Sequence, residues 1–150
     1  MSTNNFRRHS AQRGFTLIEI MVVVVILAVL GAIAVPKVLD KVADARISAA
    51  KSDLKSIQTA LDLYKLDNFS YPTTEQGLEA LVSKPSGDPE PRNWKQYLPK
   101  LPKDPWDQEY LYFSPGDNGD YDLYSLGADM IEGGDGEAAD ITNWDSSEAE

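Results

Sequence analysis

The chain has no cysteine. Disulfides, thiolate nucleophiles and cysteine-ligated metals are therefore excluded. Histidine is nearly as scarce, with His9 alone, close to the N-terminus. A Ser-His-Asp site in the body of the chain has no base to use, which argues against a membrane-anchored hydrolase. Positive charge is also short: 14 Lys and Arg face 24 Asp and Glu, a formal net charge of -10. That balance argues against nucleic acid as a partner, because neutralising phosphates requires clustered basic residues.

The 150 residues suffice for one domain. Charge is unevenly placed along them. Before Phe15 there are three arginines, Arg7, Arg8 and Arg13, and no acid. From Ala128 to the end there are acids and no Lys or Arg. Apolar residues are just as uneven. The run from Phe15 to Val35 is interrupted only by Thr16, Glu19 and Gly31. As a helix it measures roughly 31 Å, which matches the roughly 30 Å hydrocarbon core of a bilayer. Arginines on its N-terminal side keep residues 1–14 cytoplasmic and send the bulk of the chain across.

Three readings of this segment stand at this level: a plain membrane anchor, a secretory signal cut after Ala34 in Ala32-Ile33-Ala34, or a leader cut between Gly14 and Phe15. A carboxylate inside an apolar span costs about 2.5–3.5 kcal/mol on insertion scales, so Glu19 needs a reason. Cleavage at Gly14/Phe15 supplies one, since the new amine on Phe15 of one chain can pair with Glu19 of a neighbour as helices pack. Otherwise Glu19 sits near the interface and snorkels.

The stretch Arg13-Gly14-Phe15-Thr16-Leu17-Ile18-Glu19-Ile20-Met21-Val22 resembles the leader junction of type IV pilins and pseudopilins. The resemblance implies that a prepilin peptidase cuts after Gly14 and that Phe15 is N-methylated. It also implies that Glu19 sets the register of assembling subunits. The processed chain would carry 11 basic against 24 acidic residues, a net charge of -13.

Beyond Pro36, expected to kink the helix rather than end it, a single stripe continues. Leu39, Ala43, Ile47, Ala50, Leu54, Ile57, Leu61 and Tyr64 recur at spacings of three and four, with charged residues between them. An amphipathic half-helix over 36–66 therefore succeeds the apolar half over 15–35, the two together about 80 Å long. The stripe is expected to pack on a small sheet.

The head, residues 67–150, opens with a loop at 67–72. Thr73 with Gln76 is placed as a capping box for a short helix through Leu78, Leu81 and Val82. Glu109 to Phe113 and Tyr121 to Leu126 read as a hairpin around the turn-rich residues 114–120, with room for a third short strand. From Gly127 the chain reads as a glycine-rich acidic loop. A small domain without disulfides needs another staple. Calcium, bound by about six to eight oxygens, suits a loop bearing Asp129, Asp135, Glu137 and Asp140. A solvated acidic tail is the alternative, and the spacing does not fit an EF-hand.

Head motifs extend the resemblance. Tyr64-Lys65-Leu66-Asp67-Asn68, residues 71–78, Leu101-Pro102-Lys103-Asp104-Pro105-Trp106, residues 125–129 and Ala139-Asp140-Ile141-Thr142-Asn143-Trp144 resemble the major pseudopilin of type II secretion systems. That family implies an α+β, pilin-like fold, with a long kinked N-terminal helix on a small antiparallel sheet and a calcium-binding C-terminal loop. Carried over, Asp129 and Asp140 match side-chain ligands and Leu126 a carbonyl ligand. Ile131 is a further carbonyl candidate, and Asp135 or Glu137, or a carbonyl near them, fills out the set. Ala139 stands where some members carry a second acid, and the loop is longer.

The function implied is a non-enzymatic subunit of a periplasmic pseudopilus that drives protein export from the bacterial inner membrane. Its implied partners are further copies of itself, the prepilin peptidase, minor pseudopilins and the inner-membrane secretion platform. A type IV pilus subunit for adhesion or motility is the nearest alternative, against which the missing cysteines count. A periplasmic binding module with a conventional signal is another.

Overall fold

The computed structural model describes residues 14–144, with the side chains of 33–40 outside the description. The basic leader up to Arg13 also lies outside the described residues. One helix dominates. α1 runs from Leu17 to Asn68, 52 residues without a break. The kink expected at Pro36 lies among side chains outside the description. The chain divides between Leu39 and Asp40 into two units, and α1 contributes to both.

In the second unit the helix does what its periodicity demands. Ala50, Leu54, Ile57, Leu61 and Tyr64 are buried, and Ile47 packs partly against them. Ala60, between two stripe positions, is buried too. The stripe packs with Leu78, Leu81, Tyr110, Tyr112, Leu123 and Ile141 into one core. Burying a Leu or Ile side chain contributes roughly 1.5–3 kcal/mol, so these few residues carry most of the head's stability. α1 ends two residues later than its stripe suggests. Asn68 closes it by donating to the Tyr64 carbonyl at 3.0 Å and to the Tyr97 hydroxyl at 2.9 Å.

The capping box forms, but the helix it was to start does not. Thr73 Oγ1 accepts from Gln76 N at 3.2 Å, and Gln76 Oε1 accepts from Thr73 N at 3.1 Å. Gly77 then turns to φ 59° and ψ −171°, which breaks the helical path. After it the chain makes only one short 3-10 helix, Leu78–Leu81, whose Leu78, Ala80 and Leu81 face the core.

Three strands complete the head: β1 (Leu111–Phe113), β2 (Asp122–Ser125) and β3 (Ile141–Thr142). They form an antiparallel sheet in the order β1-β2-β3, with Tyr112 opposite Leu123 and Ser125 opposite Ile141. The strands are shorter than their aromatic and β-branched runs suggest. Asp122 explains one end: its carboxylate accepts from Asp117 N, Asn118 N and Asn118 Nδ2, and so closes the hairpin turn. β3 is the third short strand the hairpin had room for, and it lies at the end of the segment that reads as a loop. Its pairing with β2 needs no turn signal of its own, because the acidic loop returns the chain.

Tyrosines line this core. Burial raises the pKa of Tyr110, Tyr112 and Tyr121. Tyr71 is pushed up to about 12, first by burial and then by its hydrogen bond to Asp62. Tyr97 is likewise pushed up to about 12, by burial and then by Asp67. The folded head thus holds its phenol protons more tightly than the unfolded chain, whose tyrosines titrate near about 10. Stability is fully present below pH about 10 and falls as pH rises from there. In a spectrophotometric titration, phenolate absorbance should rise together with loss of helix signal, at a pH above about 10. Phenolate appearing near pH about 10 in a still-folded head would contradict this.

Candidate functional site

The first unit presents an exposed apolar helix among the described residues. Phe15 and Leu17 are each 79% exposed, and every large apolar residue from Ile18 to Leu30 is exposed. The apolar surface runs all round the helix rather than along one stripe. A helix of that kind is stable only when buried, in lipid or among other helices. Among the described residues no helix is long and apolar enough to cross a membrane. The described part of the apolar run stops at Ala32, short of its end at Val35.

Glu19 sits in the first turn of α1. Thr16 caps that turn: its Oγ1 accepts from Glu19 N at 3.3 Å, and its carbonyl accepts from Ile20 N at 3.3 Å. A carboxylate here also faces the positive end of the helix dipole, worth about 0.3–1 kcal/mol. Thr16-x-x-Glu19 is half of a capping box, a local signal that the leader motif overshadows in the sequence. Gly14 and Phe15 immediately precede this cap, in an irregular, exposed segment. A cut between them would place a new amine beside the first helical turn.

The second cluster is the acidic loop between β2 and β3. Its base is buried. Asp104, only 4% exposed, accepts from Trp106 N at 3.0 Å and Gln108 N at 2.8 Å through Oδ1. Its Oδ2 accepts from the Ser125 hydroxyl, which in turn accepts from Gly127 N. A buried carboxylate stays tolerable when donors surround it, as they do here. Asp104 belongs to the Leu-Pro-Lys-Asp-Pro-Trp segment, which pointed to the family without revealing this positioning role. At Gly127 the two arms of the loop nearly touch. It adopts φ 66°, and a side chain there would come within 2.5 Å of the Glu137 carbonyl oxygen. The Ala128 N–H donates to that same carbonyl at 2.8 Å. The Glu137 carboxylate also accepts from Arg46 Nη1 at 3.1 Å, which ties the returning arm to α1.

Two of the expected ligand side chains meet the same short stretch of backbone. Asp129 Oδ1 accepts from Ile131 N at 3.1 Å, and Asp140 Oδ2 accepts from Gly133 N at 3.0 Å. Among the described residues, the buried Asp140 Oδ1 meets no hydrogen-bond partner. An orphaned carboxylate oxygen in an acidic loop is the kind of atom that a hard cation satisfies. Asp135 is exposed and precedes the short 3-10 helix Gly136–Ala138. Leu126 is half-buried and Ile131 is 65% exposed. Among the described residues no three acidic or histidine side chains gather to hold a metal ion. The loop therefore fits a cation with at most two carboxylates, the rest of the shell being carbonyls or water. An open cleft of about 460 Å³ lies beside Asp140, lined also by Phe113, Tyr124 and Trp144.

A bare apolar helix joined to a small α+β head defines a class, the pilin-like subunits that assemble through their N-terminal helices. The type II secretion system protein G model matches residues 37–144, and the prokaryotic N-terminal methylation motif matches residues 9–35. The chain belongs to the type II secretion system protein G family, the major pseudopilins. It is 60% identical to the type II secretion system core protein G of Pseudomonas aeruginosa, over 90% of this chain and 96% of that one. The Vibrio cholerae core protein G is 55% identical, over 89% of this chain and 92% of its own length. The crystal structure of the major pseudopilin from enterohaemorrhagic Escherichia coli superposes with a TM-score of 0.61 at 46% identity. It covers 68% of this chain and 89% of that one. This selects the pseudopilus subunit over the type IV pilus subunit.

Removing the Asp104 carboxylate leaves three donors facing each other in the core. Asp104→Ala should cost about 2–4 kcal/mol of stability, measured by urea unfolding. A change under about 0.5 kcal/mol would show that water replaces the carboxylate and that the loop base does not depend on it.

Proposed function

We propose that this major pseudopilin works mechanically, as the repeating subunit of a periplasmic rod that pushes folded proteins outward. The observation that carries the reading is the helix exposed on all sides from Phe15 to Ala32, with one carboxylate in its first turn. In lipid that surface anchors the subunit in the inner membrane as a single pass, leader inside and head in the periplasm. In the filament the same surface packs against the helices of neighbouring copies. The prepilin peptidase cuts at Gly14/Phe15 and the new terminus of Phe15 is methylated. Glu19 then pairs with the Phe15 amine of a neighbour, which offsets the cost of leaving a carboxylate in an apolar environment. Minor pseudopilins and the inner-membrane secretion platform are the further partners. No residue does bond chemistry on a secreted protein.

The intact mass of the membrane-extracted protein from its own host tests this. The expected chain starts at Phe15 with one added methyl group. A chain starting at Val35 would mean a conventional signal and would remove the assembly helix altogether. A secretion block on deletion, restored by the wild-type chain, is the matching cellular readout.

Calcium is the cofactor this reading assigns to the acidic loop. Asp129 and Asp140 would hold it by side chain, Leu126 and Ile131 by carbonyl, and Asp135 by its carbonyl or through water. What supports this is the unpartnered Asp140 Oδ1, together with Glu137 being engaged by Arg46. The ion would supply no reaction, only a staple across the loop. A ligand bound only by the folded state at about a hundred times its Kd adds about 2.7 kcal/mol. A chelator should therefore lower the head's melting midpoint, and Asp140→Ala should abolish the difference. Superimposable melting curves with calcium and with chelator would sink the assignment.

A further inference from the structure

Phe69 and Met130 both combine a positive φ with an exposed apolar side chain, and Phe69 is the bulkier and the more exposed of the two. Phe69 sits one position beyond α1, with φ 68°, and its N–H donates to the Lys65 carbonyl at 2.7 Å. That is the left-handed capping position at which helices end, and glycine is the usual occupant because a Cβ is unfavourable there. A bulky side chain at positive φ is an outlier that bears a backbone cost. Burial would offset the cost, but the Phe69 side chain is 79% exposed. Leu66, one turn earlier, is 73% exposed and Leu63 is 44% exposed. These residues, each three positions from the next, form an apolar ridge at the end of α1, away from the buried Leu61 and Tyr64. Contact between neighbours along the ridge does not explain it, since each remains open to water.

We propose that the Leu63–Leu66–Phe69 ridge docks onto a second copy of this chain, as a head-to-head contact of the filament. This rests on the assembly reading and adds a site to it. Charge favours a copy of the same chain as the occupant. Identical chains of net charge -10 repel unless they meet where charge is locally cancelled. Around the ridge three acids are matched, Asp67 with Lys95 at 2.9 Å, Asp120 with Lys65 at 2.7 Å and Glu90 with Lys84 at 2.7 Å, while Asp62 accepts from the Tyr71 hydroxyl at 2.9 Å. The ridge is thus an apolar surface with a neutralised rim, on the same helix whose first half packs between subunits. The acidic loop, by contrast, is a surface on which identical copies repel. Exposed aromatic and aliphatic anchors of this kind are typical centres of protein contacts.

The test places a photo-crosslinking benzophenone amino acid at Phe69, and separately at Val24, in the full-length chain in cells that assemble the secretion system. Chain-to-chain crosslinks are expected at both positions. A crosslink at Val24 with none at Phe69 overturns the ridge contact alone, while none at either position overturns the filament reading as well. Crosslinks from Phe69 only to lipid or to another protein also overturn the proposal. A second readout separates contact from folding. Phe69→Gly relieves the strained backbone, so the head's melting midpoint should stay or rise while recoverable filament falls by about fivefold or more. Wild-type filament yield from Phe69→Gly would sink the idea.

Discussion

Everything in this protein depends on one helix having two different partners. The stripe from Ala50 to Tyr64 buries itself against the protein's own sheet and loops. The segment from Phe15 to Ala32 has nothing of its own to bury against. A 52-residue helix cannot be stabilised along its whole length by a head of this size. In the proposed assembly its first half finds lipid or other copies of the chain, which would complete a core that a single chain leaves half built.

The head is economical for the same reason. It has three short strands, one capped turn and a buried tyrosine set, without a disulfide to close its acidic loop. Closure is divided among weaker devices. Asp104 and Ser125 fix the departing arm, Glu137 and Arg46 hold the returning arm, and β3 locks the end of the loop onto β2. An exposed ion pair such as Arg46–Glu137 contributes only about 0–1 kcal/mol. The buried carboxylate and the strand pairing therefore carry more of the load. In this setting a cation at Asp140 would act as a physical staple, because it would meet an oxygen that no donor among the described residues reaches.

Two of the head's positive-φ positions, Gly127 and Phe69, have opposite accounts. Gly127 takes a positive φ because the opposing arm of the loop leaves no space for a Cβ. Phe69 takes the same conformation with open space around its side chain. The first is demanded from inside the fold. The second is not demanded from inside the fold, and the proposed contact with another copy would cover the ring.

By itself the sequence determined the helix, its division into apolar and amphipathic halves, the capping box at Thr73 and the hairpin around residues 114–120. Each of these is local: a period of about 3.6, a pair of residues three apart, a cluster of turn formers. The leader junction and the acidic loop were legible for the same reason, as dense patterns over few residues. Tertiary structure alone decided that Thr73 and Gln76 cap a single turn, because Gly77 then redirects the chain toward the core. It alone decided that Ile141 and Thr142 form a strand, since that pairing joins residues far apart in the chain. The carboxylate of Asp104 meeting Ser125, Arg46 reaching Glu137, and Phe69 left uncovered are likewise long-range facts. They depend on which surfaces remain once the core has closed, and no short pattern of residues encodes that remainder.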